Sequence, residues 1–205
     1  MSMADIKKLS RLKKIEPEAA VQAAMALFWK HGYNGLGTRQ LEEETGITRF
    51  TLQTSYGGKK SLFLNSLDTY LDNFETHVSP NMTEGSLETI AVWFETRIEP
   101  VMLADVACYG CLLLNSTVEF AAQDEDINLR AERFFSMVRG GFQRALSAAK
   151  QQGNLSAEFD VEAMAEVLLS GAIGLNIVIR SAASNSAGKS IANSIASLVR
   201  SWENL

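Results

Sequence analysis

Apolar residues in this chain recur at intervals of three and four, and nowhere in convincing alternation. That period belongs to helices that bury one face, so the chain reads as all-α. Ala20, Ala23, Ala24, Leu27 and Phe28 form the first stripe. It opens near Pro17, whose missing N–H suits a first helical turn, and ends at His31-Gly32-Tyr33, where Gly32 fits a left-handed cap. Asn34-Gly35-Leu36-Gly37 is a turn-rich loop, and Thr38 stands where it can cap the next helix. On that helix Leu41 faces inward while Glu42, Glu43 and Glu44 face solvent. A tight turn at Gly46 follows. Thr48 caps a third short helix, Ile47 and Leu52 face the core, and Gly57-Gly58 breaks the run.

Longer helices occupy the remainder. Leu62, Phe63, Leu67, Tyr70, Leu71 and Phe74 mark one from Lys59 to about His77, closed by Ser79-Pro80-Asn81. Leu87, Ile90, Ala91, Phe94 and Ile98 mark another, ended near Pro100. Residues 110–122 are apolar on nearly all sides, which predicts a buried helix. Leu129, Phe134, Val138, Phe142 and Leu146 line the inner face of a helix from Asp126 to about Gln152, stopped by Gly153-Asn154. Asp160 caps a helix from Val161 to about Ala183, and a last one runs from about Ala187 to Trp202. The expected total is about nine helices. Residues 1–60 form an N-terminal three-helix domain and residues 61–205 a helical remainder.

Charge separates the same two parts. The whole chain carries −5, yet residues 1–60 hold ten Lys and Arg against six Asp and Glu, and residues 61–205 hold nine against eighteen. A basic first part on an acidic remainder suggests that only the first part meets a polyanion such as DNA. Lys7, Lys8, Arg11, Lys13 and Lys14 make residues 1–15 either an arm that touches phosphate or a solvated tail. The start of the chain is charged and lacks an apolar signal core, and no run of about 18 apolar residues predicts a membrane span. Two cysteines make no disulfide framework. A cytoplasmic protein without membrane attachment is the expectation.

Enzyme signatures are missing. Tyr56-Gly57-Gly58-Lys59-Lys60-Ser61 has a faint likeness to a phosphate loop, but Gln53 stands where a glycine is needed and Lys60 where Ser or Thr is needed. No G-x-S-x-G, H-E-x-x-H or G-x-G-x-x-G occurs. His31 and His77, the two histidines, are far apart in sequence, so neither a metal site nor a cofactor is expected.

The stretch 38–62 is therefore read as a helix-turn-helix: a short helix, a tight turn at Gly46, then a short helix bearing basic and small polar side chains. Beyond that local reading, residues 17–65 resemble the TetR family of one-component transcriptional regulators. The resemblance rests on Phe28-Trp29-Lys30-His31-Gly32-Tyr33 closing an alanine-rich helix and on Gly37-Thr38 opening the second. Leu41, Thr45-Gly46-Ile47-Thr48, Leu52, Tyr56, Lys59 and Leu62 continue it at the family's spacing. Gly110-Cys111-Leu112 with Asn115 and Glu119, then Gly153-Asn154-Leu155 before Asp160, resembles the ligand and dimer domain of one branch. The resemblance implies a ligand-responsive regulator, usually a repressor, that binds a palindromic operator as a homodimer and is released by a small organic effector.

In such a protein the second helix of the motif enters the major groove and its first residues meet bases. Arg49, Thr51 and Gln53 are assigned to bases, and Thr38, Thr54, Tyr56 and Lys59 to phosphates, with Thr48 as cap beside them. Thr38 as a mere cap and Tyr56 as core are the alternatives. Many members of the family carry Gly at the position of Phe50 and a phosphate-touching Tyr at the position of Gln53. Here Gln53 suits an adenine edge, and Phe50 is either a thymine-methyl contact or core.

Gly171, Ala172 and Gly174 permit close helix approach, and Ile191, Ile195, Leu198, Val199 and Trp202 supply an apolar face, so the last two helices read as a dimer surface or an internal core. Candidate walls of an effector pocket are Phe74, Trp93, Phe94, Arg97, Cys111, Asn115, Phe134, Met137 and Leu175, each with ordinary core as its alternative. Cys108 and Cys111 form C-Y-G-C near a helix start, which lowers thiol pKa, so a thiol- or electrophile-sensing repressor is the second reading.

Overall fold

The structure is a computed structural model that describes residues 17–77, 86–98 and 108–203. These residues form nine α-helices and no strand. They are α1 (Pro17–His31), α2 (Thr38–Thr45), α3 (Arg49–Tyr56), α4 (Lys59–His77), α5 (Leu87–Thr96), α6 (Leu112–Phe120), α7 (Glu125–Gln151), α8 (Val161–Ala182) and α9 (Lys189–Arg200), with a short 3-10 turn at Asn185–Gly188 before the last. The basic arm and the stops expected at Ser79-Pro80-Asn81 and Pro100 lie outside the described residues. Contacts divide the chain into two compact units at Thr69 and Tyr70. The division falls inside α4 rather than near residue 60, because the first turns of α4 supply core to the first unit.

That core is aromatic at its centre. Phe63 of α4 meets Phe28 edge-on at 4.9 Å and Tyr33 at 5.1 Å between ring centroids. Leu36, Leu41, Ile47, Leu52 and Leu62 are buried around them. The first stripe keeps Ala20, Ala24 and Phe28 inside and adds Met25, whereas Ala23 is exposed and Leu27 half-buried. Helical drift of about 100° per residue carries those two to the edge of the stripe.

In the second unit α7 and α8 pack along each other, and α9 lies along α5. The rings of Phe94 and Phe142 stack at 5.7 Å with an interplanar angle of 1°, and Trp93 stands edge-on to both. Small residues let α9 close in. Ala192 and Ala196 are buried, and a Cβ on Gly171 would stand 2.8 Å from Cδ1 of Ile195. Arg200 fixes the end of α9. It donates to both oxygens of Glu88 (2.6 and 2.7 Å) and both of Glu95 (2.7 and 3.0 Å) on α5.

Several expectations shift. The helix expected over 110–122 covers only Leu112–Phe120, with Cys111 as its N-cap, and Val118 is 68% exposed, so it is not buried all round. Leu129 is exposed rather than inside, since α7 turns its buried face through Ile127, Ala131 and Phe134. α8 is long and apolar enough to cross a membrane by length and composition, an exception to the sequence expectation. A helix packed on both α7 and α9 passes the same test.

Candidate functional site

The turn between α2 and α3 is tied from within. Gly46 adopts φ 73°, a left-handed conformation that a side chain resists, and its N–H bonds the carbonyl of Glu42 at 2.9 Å. The buried Thr45 hydroxyl donates to the Leu41 carbonyl at 2.6 Å and accepts from the Ile47 N–H at 3.1 Å. Thr48 then caps α3, its hydroxyl accepting from the N–H of Thr51 at 3.1 Å. Thr38 plays no such part. The N-cap of α2 is Gly37, and Thr38 is the first helical residue, half-buried. The expectation that Thr38 caps the helix is corrected, because the extended conformation falls one residue earlier.

α3 is eight residues long and buries Leu52 alone. Arg49, Phe50, Gln53 and Thr54 are exposed, Thr51 and Tyr56 half-buried. Phe50 is 77% exposed, which removes core as its role. The Thr54 hydroxyl donates to the Phe50 carbonyl at 2.8 Å. Lys59 opens α4, but its ammonium is engaged: it donates to the Tyr33 carbonyl and lies 4.3 Å from the Tyr33 ring centre. On α2, Arg39 is exposed and paired with Glu43 at 2.8 Å, and the same carboxylate raises its pKa by hydrogen bond and charge.

A second candidate site is a cleft wholly within the second unit, with about 430 Å3 of atom-free space, partly open to solvent. Of the residues expected there, it gathers Phe74, Trp93, Arg97, Cys111 and Phe134. Phe94 is not a wall, being spent on the stack with Phe142. Asn115 turns away to donate to the Tyr109 carbonyl at 2.8 Å. Leu175 is fully buried against Gly188, and Met137 falls beside the inward face of α7. Sequence reading missed Tyr70, Leu114, Phe135 and Val138, and Leu169, Ala172, Ile173 and Asn176 on α8. Tyr70 was findable, one turn before Phe74 on the same face. The α8 residues were not, because their spacing is that of any buried helix.

Polar chemistry in the cleft is concentrated at one end. The Tyr70 hydroxyl donates to Cys111 Sγ at 3.4 Å. Burial pushes the Tyr70 pKa well above its ordinary value, and the neighbouring thiol adds to the effect. Burial also pushes the Cys111 thiol up, against smaller lowering by Tyr70 and by the N–H groups of α6. The helix start that was expected to activate this thiol is thus outweighed by desolvation. Neither Cys108 nor Cys111 is in a disulfide. Arg97 has no carboxylate partner among the described residues, and burial draws its pKa down.

Comparison with known proteins finds relatives for both parts of the chain. Residues 20–65 match the family model described as bacterial regulatory proteins, tetR family. Residues 89–195, more than half of the chain, match the tetracyclin repressor-like C-terminal domain. The HTH-type transcriptional repressor ComR of Escherichia coli is 28% identical over 180 residues, covering 87% of this chain and 86% of its own. The HTH-type transcriptional regulator YezE of Bacillus subtilis is 27% identical over 175 residues, covering 84% and 90%. Among solved structures, a cysteine mutant of the regulator CifR in complex with 26-bp double-strand operator DNA superposes with a TM-score of 0.78 at 19% identity, covering 93% of this chain and 98% of its own. The reduced form of Escherichia coli NemR gives 0.73 at 14% identity, covering 91% and 96%.

Proposed function

The chain belongs to the TetR family of bacterial transcriptional regulators, DNA-binding proteins rather than enzymes, and from this we propose that it is a repressor that holds a palindromic operator as a homodimer and lets go when a small organic effector enters the cleft. One observation carries the reading. α3 hangs from Leu52 and turns Arg49, Phe50 and Gln53 outward behind a fixed cap. Arg49 suits a guanine edge, Gln53 an adenine edge, and Phe50 the methyl of thymine. Thr51 stands with these base readers, and Thr38, Thr54 and Tyr56 supply hydroxyls for phosphate. Lys59, drawn onto Tyr33, offers its charge from a fixed place rather than a long free reach.

The dimer is supported by an uncovered apolar face. Val167 and Ile177 on α8 and Leu198 on α9 are 48%, 49% and 47% exposed, and a Cβ on Gly174 would meet nothing within 4 Å. Exposed positions of α9 between its terminal cations are Ser190, Asn193, Ser194, Ser197 and Leu198, all uncharged. Charge depletion of this kind marks the centre of protein interfaces. A two-fold pair would set its reading helices about 34–36 Å apart, one DNA turn.

Release follows from differential affinity: an effector that favours a conformation with mismatched reading helices weakens DNA binding by the same free energy. The thiol-sensing alternative gains no support from Cys111, whose raised pKa disfavours the reactive thiolate. The test is binding to a DNA fragment from the chain's own promoter region, followed by fluorescence anisotropy at several salt concentrations. Steep weakening with salt is expected, and Arg49→Ala should lose specific binding while remaining folded and dimeric. If Arg49→Ala binds as tightly as the parent at matched salt, the assignment of α3 as reader is wrong.

A further inference from the structure

The cleft of the second unit contains hydrogen-bond donors that nothing among the described residues accepts. Trp93 is 6% exposed and lines the cleft, yet its indole Nε1 is sealed from solvent and has no partner. Nε of Arg97 is likewise sealed and without a partner. The two belong together, since the guanidinium carbon lies 5.0 Å from the Trp93 ring centre. An N–H shut away from water without an acceptor is costly, and a guanidinium without an opposite charge more so. The neighbouring polar groups do not relieve them. Tyr70 donates as well, into Cys111 Sγ, a weak acceptor. This end of the cleft is therefore positive and rich in donors, while Phe74 and Phe134, edge-on at 4.9 Å, make the rest aromatic.

We infer that the cleft is built for a small organic carboxylate, whose two oxygens meet Arg97 and the Trp93 N–H and whose apolar body lies against Phe74 and Phe134. The inference rests on the effector reading above and names the chemistry of that effector. A carboxylate matches a guanidinium in charge and, with two oxygens, in geometry. A neutral carbonyl satisfies one N–H but leaves the buried charge. An amine adds a second positive charge to it. An inorganic anion would meet the charge but leave the aromatic walls unused. The bore also limits the body. Only about 40 Å3 of the cleft is wide enough for the centre of a water molecule, so a single ring or short chain fits more readily than a fused polycycle.

The test compares one skeleton with different head groups on the intact, DNA-free protein by titration calorimetry at fixed ionic strength. The probes are benzoate, phenylacetate, 3-phenylpropionate and hexanoate, with phenylacetamide, phenethylamine, chloride and inorganic phosphate as comparisons. At least one carboxylate should bind, phenylacetate about tenfold or more tighter than its amide, and phenethylamine not at all. Arg97→Gln should abolish the preference of acid over amide, and Trp93→Phe should reduce it while keeping the ring. Equal binding of acid and amide by the parent overturns the assignment without any variant. So do a preference that survives Arg97→Gln in folded protein, absence of binding by all four carboxylates, and displacement of phenylacetate by chloride or phosphate at equal concentration. Operator release is measured separately. Carboxylates that bind without releasing DNA leave this assignment standing and sink the effector reading. A neutral compound that releases DNA, where no carboxylate binds, does the reverse.

Discussion

Replacing Thr48 by alanine removes the hydroxyl that accepts the Thr51 N–H at 3.1 Å. Loss of such a cap costs about 1 kcal/mol, within a range of about 0.5–2. In a long packed helix that loss disappears into the global stability. α3 differs, because its eight residues bury one side chain, Leu52. Its local stability is small, so fraying of its first turn is paid at the moment of DNA binding. The first turn is also the part that carries Arg49 and Phe50. The proposed homodimer would present two copies, so the expected loss of operator affinity is up to about 2 kcal/mol, or about 30-fold. Three variants separate cap from contact. Thr48→Ser keeps the cap and should bind within a few-fold of the parent. Thr48→Asp also caps, and should keep urea stability while weakening DNA by placing a negative charge beside phosphate. Thr48→Ala should lose about 1 kcal/mol in urea unfolding, lose operator affinity, and show faster amide exchange across α3. If Thr48→Ala keeps parental affinity and exchange, α3 is held by more than its cap and one leucine, and the reasoning fails.

Phe50→Ala should leave unfolding unchanged, since the ring is 77% exposed, and should lower operator binding only where thymine stands opposite it, as a base-substitution series in the operator would reveal. Phe142→Ala removes a fully buried ring from the stack with Phe94 and Trp93 and should cost about 3–5 kcal/mol in chemical unfolding. The Arg200 hydrogen bonds hold the carboxyls of Glu88 and Glu95 below their ordinary pKa. Their contribution to stability is therefore complete above the unfolded carboxylate value of about 4.3 and is lost as pH falls through the lowered folded values. Arg200→Met should flatten that acid limb of a stability–pH curve, and an unchanged limb would show that the pair does not couple to folding.

Much of the fold could be read because helical caps are local chemistry. Thr48, Gly46, Gly32 and Asp160 each act within four residues, and each stands where the sequence put it. Thr38 misled because Gly37 took the cap, a choice of backbone conformation that residue type alone does not decide. Leu129 misled because an apolar residue one position off the stripe counts the same in a pattern as one on it. The cleft was half legible. Aromatic residues on α4, α5 and α7 were nameable, but which of Trp93 and Phe94 faces the space depends on α7, which takes Phe94 into its stack with Phe142. Nothing in the sequence marked Arg97 as lacking a carboxylate among the described residues, since partners are fixed only by the fold.

The attachment of α3 by one leucine has a consequence for descent. Exposed substitutions away from caps and packing change stability by no more than about 0.5 kcal/mol, so Arg49, Phe50 and Gln53 are free to vary without endangering the domain. Recognition can then drift through many operator sequences on an unchanged scaffold, and two lineages with nearly identical cores can come to govern unrelated genes.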